Sequence, residues 1–289
     1  HNVNYLFEAS VGGGIPLIHP LYQCLGAGDI TEVAGILNGT TNYILTRLRV
    51  DGMSFDDALR IAQERGYAEK DPTADVEGYD ACRKVCILAS LAFGKHVYPN
   101  QVETEGITNI TLEDVSYIEN AGGVIKLLGQ IKYINDNEIA AFVSPAVVYN
   151  GSQLASVKDV FNAILVRGDA VGDVCFYGPG AGKLPTASAV VADIIDCAKH
   201  SERKKIFGWG AGNEDYVVDY KERIEMPFYV RAKATPAEIN AKFSDVKFLS
   251  RKGQPSDEVA FITDIMTENK LNKKLDGINV INTIKVTNY

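Results

Sequence analysis

Apolar residues recur along this chain with two periods, near 3.6 and near 2, and glycines stand where one gives way to the other. Ser54, with Asp57 three residues on, predicts a helix start. That helix runs to Arg65, with Gly66 placed to end it. A second helix is predicted from near Gly78 to Phe93, stopping at Gly94. Beyond Lys84 it is apolar all round, the pattern of a buried helix. Upstream, Tyr5 to Val11 reads as a short strand, Gly12-Gly13-Gly14-Ile15-Pro16 as a sharp turn, and Pro16 to Leu25 as a short helix. Ile30 to Leu37 alternates as a strand. Asn38-Gly39-Thr40-Thr41-Asn42 then opens a helix over Tyr43 to Arg49; its hydrogen-bonding side chains suit a carboxylate or polar ligand, or Thr40 or Thr41 simply caps the helix.

Downstream, a short helix is expected at Leu112 to Glu119. Val124 to Ile134 and Glu138 to Tyr149 flank Asn135-Asp136-Asn137, a hairpin signal. Ala163 to Arg167 and Val174 to Tyr177 form another pair around Gly168-Asp169. Gly178-Pro179-Gly180-Ala181-Gly182-Lys183-Leu184-Pro185-Thr186 follows a strand and opens a helix over Ala187 to Ala198, and Gly208 to Gly212 reads as linker. From Met226 the order is strand Phe228–Ala234, helix Pro236–Phe243, strand Val246–Arg251, strand Glu258–Thr263, helix Thr267–Leu275, strand Gly277–Val286. That is βαββαβ, a ferredoxin-like unit. The fold class expected is α/β (α+β): a mixed sheet with helices on one face, followed by this small unit.

With 289 residues, 46% hydrophobic and 23% charged, the chain is long enough for two globular domains. A net charge of −8 argues against nucleic acid or an anionic membrane as partner. The longest strongly apolar run, Val85 to Phe93, is too short to span a bilayer, and no signal peptide is visible. Five cysteines lie scattered without CxxC spacing, which reads as reduced thiols in a cytoplasmic protein. Cys82 and Cys86, four apart on the buried helix, read as small core residues rather than a metal pair. The chain starts His1-Asn2-Val3 without methionine, His1 reads as a tag remnant, and the whole reads as a fragment of a longer protein.

Candidate chemistry crowds where the buried helix begins. Asp80 and Lys84 share a helix face at i, i+4, acid first. Asp75 precedes them, at a place where a helix N-terminus favours a carboxylate, and Glu69 lies on the connecting loop. Such carboxylates could grip an ammonium or hydroxyl, and the lysine could give a proton or steady an oxyanion. The same residues read equally as a capping acid and a solvated ion pair. The turn at 178–186 has the context of a phosphate-binding turn, but it is neither GxGxxG nor a P-loop, since Leu184 follows Lys183.

Ala62, Gly66, Asp71-Pro72, Asp75, Gly78, Asp80 and Lys84 reproduce without a gap a stretch that resembles the signature of homoserine dehydrogenases. Glu8-Ala9-Ser10-Val11-Gly12-Gly13-Gly14-Ile15-Pro16 resembles the same family. The resemblance implies an NAD(P)-dependent oxidoreductase interconverting L-homoserine and L-aspartate 4-semialdehyde, in threonine, methionine and isoleucine biosynthesis. It implies Lys84 and Asp80 as catalytic, with Glu69, Asp75, Tyr67 and Thr40 binding substrate. Gly180, Gly182 and Thr186 would lie near the cofactor, and Glu8, Val11, Gly13 and Ile15 would hold a monovalent cation, sodium (Na+) being the candidate.

The tail resembles an ACT domain, which implies a homodimer or homotetramer and an amino-acid effector. It departs from that pattern where Thr235-Pro236-Ala237 replaces the Asp-x-x-Gly turn. The implied division is 1–205 as catalytic and dimerisation domain, with 178–200 returning to the nucleotide-binding domain, and 225–289 as regulatory domain. The family's Rossmann domain, with its GxGxxG and a second lysine, is missing, so this piece alone is expected to be inactive. The rival reading is a non-catalytic, dimerising, amino-acid-sensing module.

Overall fold

The computed structural model describes residues 3–25, 28–200, 202 and 208–289. The expected chain start at His1 and the expected domain boundary at 205 therefore lie outside the described residues.

The first expected strand is not one. Tyr5 to Ser10 ends in a 3-10 turn, Glu8–Ser10, because the Glu8 carboxylate folds back onto the start of α1 (Ile18–Gln23). Strand β1 (Ile30–Ile36) follows and leads into α2 (Gly39–Asp51). The cap of α2 is Asn38 rather than Thr40 or Thr41, and its side chain accepts a hydrogen bond from Thr41 N at 2.9 Å. Helix α3 (Phe55–Glu64) is capped by Ser54 as expected, and it buries Ala58 and Ala62, one turn apart. A short α4 (Thr73–Val76) leads into α5 (Tyr79–Phe93). Gly66 and Gly94 adopt positive φ, as helix-ending glycines do.

After the two-residue β2 (Glu103–Thr104) and α6 (Leu112–Asn120), the long hairpin of β3 (Gly123–Asn135) and β4 (Glu138–Tyr149) forms as the sequence suggests. The pair β5 (Phe161–Gly168) and β6 (Gly172–Pro179) is next, then α7 (Lys183–Lys199). The tail comprises α8 (Tyr220–Arg223), β7 (Glu225–Met226), β8 (Phe228–Lys233), α9 (Pro236–Lys242), β9 (Val246–Leu249), β10 (Glu258–Thr263), β11 (Met266–Thr267), α10 (Glu268–Leu275) and β12 (Asn279–Thr287). The segment read as linker is packed rather than free: Gly210 bridges Lys95, and Trp209 Nε1 donates to His96.

One mixed sheet runs in the order β6-β5-β1-β3-β4-β12-β8-β10-β9, with β2 added beside β4. The tail strands keep the all-antiparallel ferredoxin-like order β12-β8-β10-β9. They do not form a sheet of their own, because β12 pairs in parallel with β4 through Lys285 to Thr287.

Alternation along the strands assigns two cores. Val33, Leu127, Ile131, Val143 and Ile164 pack under α2, α3, α5 and α6, while Ala34, Leu128, Ala146 and Leu165 point the other way, onto Leu154 and Val157. Helices thus cover one face here, as expected. The tail departs from that expectation. Phe228, Val230 and Phe261 pack with Ile239, Leu271 and Leu275 of α9 and α10, beside Phe142 of β4, on the face opposite α5 and α6.

Candidate active site

The strand-to-helix junction between β1 and α2 faces the turn that starts α5, and one asparagine joins them. Asn38 donates from its amide to Asp75 Oδ1 at 2.7 Å and to Asp80 Oδ2 at 2.9 Å. Lys84 donates to the same Asp80 oxygen at 2.7 Å and to the Leu37 carbonyl at 2.8 Å. An ammonium has three N–H groups, so one remains beyond these two. Lys84 is one-fifth exposed and Asp80 one-third, at the edge of an open cleft of about 630 Å³. Asp80 Oδ2 thus accepts from a cation and an amide together, which holds the lysine in place.

The rest of the cleft comes from three further stretches. Thr40 lies at the first turn of α2, and its hydroxyl donates to the Tyr67 carbonyl at 2.7 Å. Tyr67 packs edge-on against Tyr43. Glu69 is exposed at the rim, and among the described residues its carboxylate has no ion-pair partner. Asp71, also lining the cleft, is held below the usual carboxylate range by hydrogen bonds from Thr73. Four carboxylates and three cations, Arg65, Arg83 and Lys84, line the cleft together. The structure therefore gathers Lys84, Asp80, Asp75, Glu69, Tyr67 and Thr40 in one place.

Gly180 and Gly182 also wall the cleft. A Cβ on Gly180 would stand 2.1 to 2.4 Å from the side-chain amide of Asn162, so only glycine fits there. Asn162 is 1% exposed and, among the described residues, neither of its amide atoms has a hydrogen-bond partner. Thr186 is not part of this wall. Its N–H donates to Gly182 O within the first turn of α7.

The first glycine turn braces the second. Gly14 N–H donates to Pro179 O at 3.4 Å, and a Cβ on Gly13 would lie 2.4 Å from Gly180 O. Val11 and Ile15 are buried in the same core. Glu8 is 5% exposed, and its carboxylate is already engaged. It accepts from Leu17 N, from Ile18 N and His19 N, both at 2.8 Å, and from His19 Nδ1. That donor set does not fit a cation held by the Glu8 side chain. Among the described residues no cluster of three or more His, Cys, Asp or Glu could hold a metal.

The sequence places Asn38 in the 38–42 stretch expected to wall the site but gives it no role of its own, and it does not pick out Arg83 or Asn162 as site residues. Asn38 carries a visible signal, an Asx residue between a strand and a helix. Arg83 and Asn162 carry none, since their positions depend on how α5 and β5 pack.

Known proteins resemble this chain over most of its length. Residues 16–195 match the family model described as homoserine dehydrogenase. The homoserine dehydrogenase of Synechocystis sp. is 50% identical over 199 residues, covering 68% of this chain and 46% of that protein. The chain thus spans about half the length of the curated relatives it matches. The crystal structure of a homoserine dehydrogenase from Thiobacillus denitrificans superimposes with a TM-score of 0.84 at 36% identity, over 98% of this chain and 70% of that one, so the match takes in the tail. A hyperthermophilic archaeal homoserine dehydrogenase mutant in complex with NADPH matches 67% of this chain and 55% of its own, at 30% identity and a TM-score of 0.55. With the family model covering well over half of the chain and these relatives agreeing, the chain belongs to the homoserine dehydrogenase family.

Proposed function

We propose that this chain is the substrate-binding part of an oxidoreductase that interconverts L-homoserine and L-aspartate 4-semialdehyde with NAD(P). The observation that carries the proposal is the Asn38–Asp80–Lys84 constellation at the cleft. In the reducing direction a hydride joins the aldehyde carbon, the C=O π pair moves to oxygen, and that oxygen takes a proton. The remaining N–H of Lys84 would meet this oxygen, steady its charge and deliver the proton. Asp80 and the Leu37 carbonyl orient Lys84. Glu69 and Asp75 would grip the substrate ammonium. The first turn of α2 and Arg83 suit its carboxylate.

The wall at Gly180 and Gly182 fits a nicotinamide dinucleotide. Its two glycines lack side chains, it opens the long helix α7, and among the described residues the buried Asn162 amide behind it has no partner. The cofactor, when bound, supplies or accepts the hydride; the NADPH of the archaeal relative supports the NADP form. Helix α7 leaves Leu184, Val191, Ile194 and Ile195 about half or more exposed, as a helix would that returns to a nucleotide-binding domain.

The domain division at 205 and 225, the ACT-like role of the tail, its amino-acid effector, a homodimer or homotetramer, and a cytoplasmic location belong to the same proposal. Among the described residues no helix is long and apolar enough to cross a membrane. The test is homoserine oxidation with NAD(P)+ by the uncut protein beside this chain. Activity in the longer protein alone supports a site completed by the missing part. An inert longer protein whose melting temperature shifts with an amino acid would favour the non-catalytic sensing module instead.

A further inference from the structure

One wall of the cleft is held from behind by a buried lysine that never reaches the cleft. Val160 lines the cleft next to the start of α2, so close that a Cβ on Gly39 would lie 2.9 Å from the Val160 carbonyl. The segment around Val160 is irregular. Asp159, with φ of 54°, is the one non-glycine residue with positive φ among the described residues. Side chains of α2 hold this turn. The Asn42 amide reaches the carbonyls of Asp159 at 2.9 Å, Phe161 at 3.1 Å and Val157 at 3.4 Å. Asp159 N–H donates to Thr46 Oγ1 at 3.1 Å.

Which way the Asn42 amide points is decided by Lys126 on β3. Lys126 is 4% exposed, and its ammonium donates to Asn42 Oδ1 at 2.9 Å and to the Val157 carbonyl. While Lys126 carries its proton it has donors only, so a flipped amide would set N–H against N–H. With the oxygen fixed toward Lys126, the NH2 group must face the three carbonyls. We infer that Lys126, acting through Asn42, is a positioning residue that sets the 157–161 segment as a wall of the substrate cleft. This rests on the reading of the cleft given above. Arg49 and Lys158 also bear on Lys126 and oppose its charge, while Asp159 favours it. A lysine of the core with no bearing on the cleft is the alternative.

Two variants separate these roles in the uncut protein. Lys126→Met removes the ammonium. Asn42→Asp keeps an acceptor for Lys126 but deletes the N–H groups. Each is expected to raise KM for homoserine about tenfold with kcat changed much less, and the double variant is expected to be no worse than either. On this chain itself, amide hydrogen exchange is expected to quicken in Lys126→Met at residues 38–40 and 157–161 but not across β3 and β4. A lowered melting temperature with unchanged KM overturns the inference, as does exchange that stays the same or quickens everywhere. If Lys126→Met does not fold, Asn42→Asp carries both measurements. If the uncut wild type fails to oxidise homoserine, the proposed function falls and the exchange pattern alone decides the inference.

Discussion

At the scale of single residues, the site depends on one oxygen. Asp80 Oδ2 accepts from both Asn38 and Lys84, so the lysine's position is shared between α5 and the start of α2. Lys84→Ala in the uncut protein should lower kcat by about 10²- to 10⁴-fold, the usual contribution of a placed proton donor, while the melting temperature changes little. Steady-state kinetics would settle it, and a normal kcat would sink the assignment. Lys126 offers a different test. Burial pushes its ammonium down to about 7, whereas an unfolded lysine titrates near about 10.4. Between those values the unfolded chain holds a proton that the folded chain lacks, so stability should rise with pH across that window. The rise is at most about 1.4 kcal/mol per pH unit, and Lys126→Met should flatten it. Urea unfolding at two pH values within the window measures the slope.

At the scale of elements, two glycine-rich turns serve each other. The turn at 12–14 supports the backbone of the turn at 180–182, which lines the cleft. Gly13 has φ of 57° and no room for a Cβ, so Gly13→Ala combines a strained backbone with a clash against main chain. A loss of about 1–3 kcal/mol is expected, from thermal or urea unfolding, together with a raised KM for NAD(P) in the uncut protein. An unperturbed KM for the nucleotide would separate this turn from the cofactor wall. The sequence shows both turns as turns, but not that they touch, because about 165 residues separate them and neither carries a side chain to announce the contact.

At the scale of the whole molecule, the tail is fastened twice. Its last strand extends the main sheet through β4, and a buried ion network ties it to α6. Arg231 meets Asp114 at 2.8 Å and Glu258 at 3.4 Å, and Arg251 meets Glu258 at 2.9 Å. Tyr229, Tyr117 and Asn282 complete the carboxylates' hydrogen bonds. Arg231→Leu would leave the buried Asp114 carboxylate without its cation, Glu258 keeping Arg251, and should cost about 3–5 kcal/mol, in one cooperative transition. Two separate transitions, with only the tail shifted, would show that the tail folds independently of the main sheet.

Sequence alone determined most of the elements and marked the candidate Asp80–Lys84 pair. The caps at Ser54 and Gly66, the all-apolar run after Lys84, the hairpin turn at 135–137 and the i, i+4 pair of Asp80 and Lys84 are local, and local backbone preferences read directly from neighbouring residues. Tertiary structure decided what lies far apart in sequence. Glu8 folds onto the start of α1 instead of extending a strand, Asn38 becomes the joint between Asp75 and Asp80, and the tail helices take the opposite face of the sheet. Those outcomes follow from satisfying buried carboxylates and amides and from which strand edge β12 found open. No periodicity along the chain records either.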